Sequence, residues 1–278
     1  MRMRGGFVME LDEIRKRWKS RSRDGHKAAK NIWDSVADYY AERELPQWQN
    51  DDFLRLLDDT VLFSTEMKSL DIGCGAGDYS IRLAPKVKQA CGTDLAPAMI
   101  KAARKKAALY HAPNTSFICA DWSVFDIDQA GWRGAYDLVF AHMTPAIDSA
   151  AALEKMMACS RRYCFLTKPT RRSDSVLDAI KRQLGLPGGS EFDKHIGEAF
   201  ELIWQMGACP QLSYRQDIWQ FENSLEEAWA WYTGKIKTQR QITSAEEALI
   251  REYLRKIAVD GRIQEETKTT IVTMYWQV

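Results

Sequence analysis

The stretch Leu70-Asp71-Ile72-Gly73-Cys74-Gly75-Ala76-Gly77-Asp78-Tyr79-Ser80 decides the fold. Met67 to Ile72 reads as a short buried strand, three glycines at every second position make a tight turn, and Tyr79 to Lys86 reads as the following helix. A side chain in such a turn blocks the backbone from approaching a ligand, and the turn visits positive φ, which glycine adopts without strain. Amide groups at the N-terminus of the new helix then face the ligand. A nucleotide-type cofactor is therefore expected over the end of this strand.

The spacing narrows the cofactor. A dinucleotide fingerprint starting at Gly73 and Gly75 requires glycine at position 78, where this chain has Asp78. An acid there faces a pyrophosphate unfavourably, whereas a cofactor carrying an amino acid and a sulfonium tolerates it. Here the chain resembles the class I S-adenosylmethionine-dependent methyltransferases, whose first motif is an acid followed by G-x-G-x-G; Asp71, Gly73, Gly75 and Gly77 match it. The resemblance implies S-adenosylmethionine as cofactor, S-adenosylhomocysteine as product, and Asp71, Gly73, Cys74, Gly75 and Gly77 as its cradle. It also implies an α/β fold: a doubly wound, Rossmann-like, seven-stranded, mostly parallel sheet with an antiparallel last strand and a helical cap.

Downstream motifs agree. Gln89 to Leu95 reads as a second strand carrying Asp94, 17 residues beyond Gly77, near the place where a carboxylate accepts both ribose hydroxyls. Leu95 and Met99 would flank the adenine. Asn114 to Ala120 reads as a third strand closing with Asp121-Trp122. The resemblance gives Asp121 the exocyclic amine and Trp122 the ring face, although a Trp is as readily a packing residue. The fourth strand, Tyr136 to Met143, runs into Ala141-His142-Met143-Thr144-Pro145. It lacks both the Asp/Asn-Pro-Pro-aromatic run of enzymes acting on base amines and the Pro-Cys nucleophile of pyrimidine carbon methyltransferases, which counts against DNA and against cysteine-dependent RNA modification. His142 is either a contact to the methionine end of the cofactor, a general base, or a histidine satisfied by structural hydrogen bonds.

Ahead of the glycine turn, Trp33, Val36, Ala37 and Tyr40 fall at helical i, i+3, i+4, i+7 spacing. This W-x-x-x-A-x-x-Y segment looks like the lid helix of small-molecule methyltransferases, including the quinone-biosynthesis group, and the resemblance places Tyr40 near cofactor and acceptor. Tyr39 and His195 are further candidate bases. Residues 1–60 are expected to form lid helices and 61–278 the core, with cap insertions at about 173–208 and 224–258. A fifth strand is expected from Arg162 to Lys168 and a last one from Lys268 to Val278, with Ser224 and Glu227 spaced as a capping box between them. Trp33, Trp204, Trp219, Trp229, Trp231 and Tyr232 are available to an apolar acceptor pocket or to core packing.

The bulk values exclude several classes. Net charge is +1, from 39 basic and 38 acidic residues, which argues against general attraction to nucleic acid or anionic membrane. The basic run from Arg15 to Lys30 is read as a nucleic-acid or phosphate patch or, by preference, a solvated helix face. Six scattered cysteines without a C-x-x-C pair point to reduced thiols and to no metal site. No apolar run reaches the ~20 residues of a membrane span, and the start Met1-Arg2-Met3-Arg4 lacks a signal peptide's apolar region. The expectation is a cytoplasmic enzyme, with Met3 and Met9 as alternative starts. Its leading acceptor is a small molecule; the alternatives are an RNA or protein acceptor, or a regulator that binds the cofactor without turnover. These motifs do not encode the acceptor's identity or the oligomeric state.

Overall fold

The structure, a computed structural model, describes residues 4–20, 22–188 and 191–278. Four short strands form the first half of the sheet: β1 (Lys68–Ile72), β2 (Gln89–Asp94), β3 (Thr115–Cys119) and β4 (Tyr136–His142). Three long ones form the second: β5 (Ser160–Asp174), β6 (Gln211–Ser224) and β7 (Arg262–Gln277). The order is β3-β2-β1-β4-β5-β7-β6, parallel from β3 to β5, with β7 antiparallel to both neighbours. Chain order reverses between β1 and β4, and such a switch point opens a crevice at the strands' carboxyl ends.

Alternation along β4 sends side chains to two cores. Val139 and Ala141 join Leu70, Ile72, Met274 and Trp276 on one face, beneath α7 (Ala150–Cys159) and α9 (Glu191–Gln205). Leu138 and Phe140 join Phe53, Leu54 and Leu57 on the other, beneath α4 (Asp52–Thr60). The first sixty residues therefore divide between the two cores and the strand ends. Ile14 and Trp18, at and just beyond the end of α1 (Arg4–Arg17), are buried in the first core, and α4 belongs to the second. Only α2 (Arg23–Ser35) and α3 (Ala37–Glu42) are left to reach the strand ends.

The long strands exceed the sequence expectation. His142 pairs with Thr167, and β5 then continues seven residues to Asp174, about 23 Å at ~3.3 Å per residue. Along this overhang β7 pairs with β5 as far as Thr267↔Asp174 and with β6 as far as Arg262↔Ser224. The overhang carries a cap with its own core. Val176 and Ile180 of α8 (Ser175–Gln183), Ala228 and Tyr232 of α10 (Leu225–Lys237), Ile250 and Leu254 of α11 (Ser244–Ile257), and Ile263 pack together. The capping box of Ser224 with Glu227 is present, and Thr243 with Glu246 forms a second. Beneath the cap, Glu265 accepts from Tyr232 and from Thr267 Oγ1. Burial, then the adjacent Asp174, push its carboxyl up to about 8.

Trp33 to Tyr40 is not one continuous helix. The chain breaks at Val36 (φ −107°, ψ 7°), yet Trp33, Val36 and Tyr40 still pack on one cluster with Ala37, Ala96 and Met99. Ile32 of α2 approaches α10 so closely that a Cβ on Gly234 would lie 2.9 Å from its Cγ1. Lid and cap thus touch each other.

Candidate active site

The glycine turn separates into two packing positions and one open one. All three glycines have positive φ: 72° at Gly73, 54° at Gly75 and 80° at Gly77. A Cβ on Gly73 would lie 1.9 Å from Thr144 Oγ1, and one on Gly77 2.8 Å from the Phe117 ring. A Cβ on Gly75 would meet only Met99 Sδ, at 4.0 Å. Gly75 is therefore the position whose bare backbone is free for a ligand. Asp71 lies behind the turn, fully buried, accepting from Ser80 Oγ at 3.1 Å, and burial pushes its carboxyl well up. The Cys74 thiol points away from the crevice, against Gly92, so Cys74 offers a ligand only its main chain. Its backbone N–H, with that of Gly73, already donates to Thr93 O (3.0 and 2.7 Å).

Asp94 ends β2 beside this turn. Its Oδ2 accepts from Gly75 N and its Oδ1 from Ala96 N, each at 2.9 Å. Burial raises its pKa, and these two N–H groups oppose the rise. A carboxylate has about four acceptor sites, so both oxygens retain capacity for hydroxyl donors. Leu95 is partly exposed next to it, and Met99 is buried under Tyr40 and Trp33. Asp34 of the lid fixes this corner: its Oδ1 accepts from Ala98 N at 2.9 Å, capping α6 (Pro97–Leu109) from another element.

Asp121 follows β3, whose last residue, Cys119, pairs with Asp94, so the two carboxylates stand at neighbouring strand ends. Its Oδ1 accepts from Ser123 N (2.9 Å) and Ser123 Oγ (2.7 Å). His26 of the lid, which the sequence reading missed, joins it: Nδ1 is 3.6 Å from Asp121 Oδ1, while Nε2 is 3.0 Å from Ser20 Oγ and 3.5 Å from Asp148 Oδ2. Trp122 is a correction. Its ring is buried in the core and its Nε1 donates to Ala152 O of α7 at 3.1 Å, so it covers no ligand in the crevice.

Asp78 is a second correction. Its carboxylate is taken up by an internal pair: Lys106 Nζ donates to its Oδ1 at 2.6 Å and also to Tyr40 O and Arg43 O, each at 2.8 Å. Lys106 is only 4% exposed. One buried ammonium thereby ties the lid to α5 (Asp78–Leu83) and the glycine turn. Tyr40 is held by this clamp, by Trp33 at 6.1 Å and by Arg43 at 5.5 Å; burial raises its phenol above the usual value, so it stays un-ionised near neutrality.

His142 sits between the rings of Phe53 (4.3 Å) and Tyr79 (4.4 Å). Burial, then the charge of Arg215, lower its pKa to about 3. It is neutral at physiological pH and a weak base. Its Nε2 is buried with no hydrogen-bond partner among the described residues. Beyond it, Met143 (φ 54°) donates to Thr167 O at 3.0 Å, and buried Lys168 holds the loop through Thr144 O (2.6 Å) and Ile147 O (2.9 Å). Of the other proposed bases, His195 lies 5.5 Å from Trp18, and Tyr39 is exposed.

Most of the remaining aromatic residues pack, but Trp204 is exposed (55%). Trp229, Trp231 and Tyr232 belong to the cap's core, Trp204 stacks on Phe200 at 6.2 Å, and Arg172 covers Trp219 at 5.5 Å. Four of the eight basic residues in the run are paired within the chain among the described residues: Arg15 with Glu154, Lys16 with Glu13, Arg17 with Glu198 and Glu201, and Lys30 with Asp34. Among the described residues no group of acids, histidines and cysteines has a metal-holding arrangement, and no helix is long and apolar enough to cross a membrane.

Comparison with known proteins bears on the fold and on the segment that carries the glycine turn. Residues 70–163 match the family model described as a methyltransferase domain. The 23S rRNA (uracil(1939)-C(5))-methyltransferase RlmD of Shewanella amazonensis is 33% identical over 110 residues, covering 39% of this chain and 25% of that protein. An uncharacterized protein of Haemophilus influenzae is 28% identical over 166 residues, 56% of this chain and 58% of that one. The chain thus spans about a quarter of the first relative's length and just over half of the second's. Among solved structures, phosphoethanolamine N-methyltransferase 2 of Haemonchus contortus, in complex with phosphomonomethylethanolamine and S-adenosylhomocysteine, superposes with a TM-score of 0.50. That match has 13% identity and covers 89% of this chain and 59% of that one, a likeness of fold. The methyltransferase-domain model thus matches residues 70–163, about a third of the chain, and the seven-stranded, mostly parallel sheet around that stretch is the fold shared with the solved methyltransferase structure.

Proposed function

We propose that this chain moves a methyl group from S-adenosylmethionine to a small-molecule acceptor held between lid and cap. The observation that carries this reading is the roof. Asp34 docks the lid on α6 and Ile32 docks it on α10, so the lid bridges the cofactor side and the cap. A site closed by the chain's own elements suits a metabolite-sized molecule. A polymer needs an open face, and a basic one if it is a nucleic acid.

In this reading Asp94 takes the ribose hydroxyls, Asp121 the adenine amine, and the bare backbone at Gly75 the amino-acid end. Leu95, Met99 and Tyr40 flank the bound molecule, while Asp71, Gly73 and Gly77 shape the turn. The cofactor supplies a methyl on a sulfonium already activated for displacement. The protein's task is then to hold the acceptor near attack distance, about 3 Å, and to exclude water, which supplies most of the rate. His142 presents a neutral ring and, with a pKa of about 3, takes up a proton poorly. That favours an acceptor arriving as its own nucleophile, a neutral amine or an ionised acid, over an alcohol that must be deprotonated.

The second reading is RNA methylation, favoured by the name of the Shewanella relative. Carbon 5 of uracil requires activation by an added nucleophile, and Cys74 beside the turn is turned away, with burial pushing its thiol well up. The experiment supplies cofactor with a labelled methyl to the protein and a fractionated cell extract. Label entering the small-molecule pool supports the leading reading. Label entering RNA overturns it in favour of the second, and saturated binding with no label in any fraction leaves a cofactor-binding regulator or an acceptor that the extract lacks.

A further inference from the structure

The outer edge of β6 is unusual for a monomer. β6 ends the sheet, runs for fourteen residues, and pairs with β7 in an unbroken register from Gln211 to Ser224. Soluble proteins blunt such edges with short strands, charged side chains, proline or bulges, because an unpaired row of N–H and C=O groups recruits another strand; β6 carries Arg215, Asp217 and Glu222 but is long. The opposite edge, β3, is short at five residues. β6, Gln-Leu-Ser-Tyr-Arg-Gln-Asp-Ile-Trp-Gln-Phe-Glu-Asn-Ser, contains neither lysine nor proline and has no bulge. It also exposes Tyr214 (63%) and Ile218 (59%) on one face.

We propose that β6 is the seam of a homodimer, pairing antiparallel with β6 of a second copy about a two-fold axis at Gln216. The sequence itself selects this register. A two-fold axis normal to the sheet passes through one residue, and residues equally far on either side face each other. Centred on Arg215 or Asp217, it sets like charges opposite one another, which is destabilising. Centred on Gln216, it sets Arg215 opposite Asp217 of the second copy and Tyr214 opposite Ile218, each pair occurring twice. Arg215 has capacity for this. Its contacts within the chain, from Nη1 to Asp52 at 3.5 Å and from Nη2 to Asp217 at 3.7 Å, are long, so both Nη groups keep donors for a partner. The product is one continuous sheet across two copies, with both free edges reduced to β3.

Sedimentation equilibrium of the full chain at micromolar concentration tests the proposal. The wild type is expected to sediment as a dimer. Arg215→Asp turns both charge pairs repulsive and should raise the dimer dissociation constant roughly tenfold or more. Adding Asp217→Arg to that variant re-creates the pairs in reversed sense and should restore the dimer. Ile218→Lys, at an exposed position, should give a folded monomer by circular dichroism. A wild type that stays monomeric overturns the proposal, and so does an Arg215→Asp variant that remains as dimeric as the wild type.

Discussion

Asp94→Ala is expected to weaken S-adenosylmethionine binding by roughly two to four orders of magnitude, measured by titration calorimetry. In the proposed cofactor pose two charge-assisted bonds to ribose hydroxyls are lost, each worth about 1.5–3 kcal/mol. Asp94 also holds Gly75 N and Ala96 N, so the alanine variant releases the glycine turn from the head of α6 as well. Asp94→Asn separates these effects, because the amide keeps one acceptor oxygen and the shape but not the charge. Its loss should be intermediate. Unchanged affinity in a folded Asp94→Ala variant would mean that the cofactor does not sit at the end of β2.

Lys106→Met is expected to lower stability by about 3 kcal/mol or more, since removing one partner of a buried pair strands the other charge. For a chain of this size that is a drop in Tm of roughly 6–12 °C. Asp78 would be left largely enclosed, and the carbonyls of Tyr40 and Arg43 would lose their common donor. Adding Asp78→Asn should recover part of the loss by removing the stranded charge. The pair also couples to function, because the same ammonium positions Tyr40 over Met99. Lys106→Met should therefore weaken cofactor binding even well below its melting point. A variant that melts like the wild type would show that the clamp carries no net stability.

The sequence made local demands legible and left distant partners hidden. Gly73, Gly75 and Gly77 were readable because a tight turn states its steric needs in adjacent residues. The same holds for Asp94 at the end of an apolar run and for Ser224 with Glu227 three residues on. Asp78 was misjudged because its partner, Lys106, lies 28 residues away on another helix. Trp122 was misjudged because strand alternation does not say which side of the chain turns inward after a strand ends. The setting of His142 depends on Phe53 and Tyr79, from two other elements, and nothing local to it announces a pKa near 3. The length of β5 was hidden by Pro169, which reads as a stop. Beyond Thr167, however, β5 no longer pairs with β4 and is an edge on that side, where a residue without an N–H is tolerated. His26 and Asp34 carry no motif at all; only the docking of the lid brings them to the strand ends.

The central claim is that the cofactor lies at the ends of β1, β2 and β3 beneath a lid made by residues 23–42. Amide hydrogen exchange with and without saturating S-adenosylhomocysteine tests it most directly, since protection reports where a ligand suppresses local opening. Slower exchange is predicted at 73–78, 94–99 and 121–123, together with the lid. Unchanged exchange at the glycine turn, or protection there with none in the lid, would contradict a cofactor held under this roof.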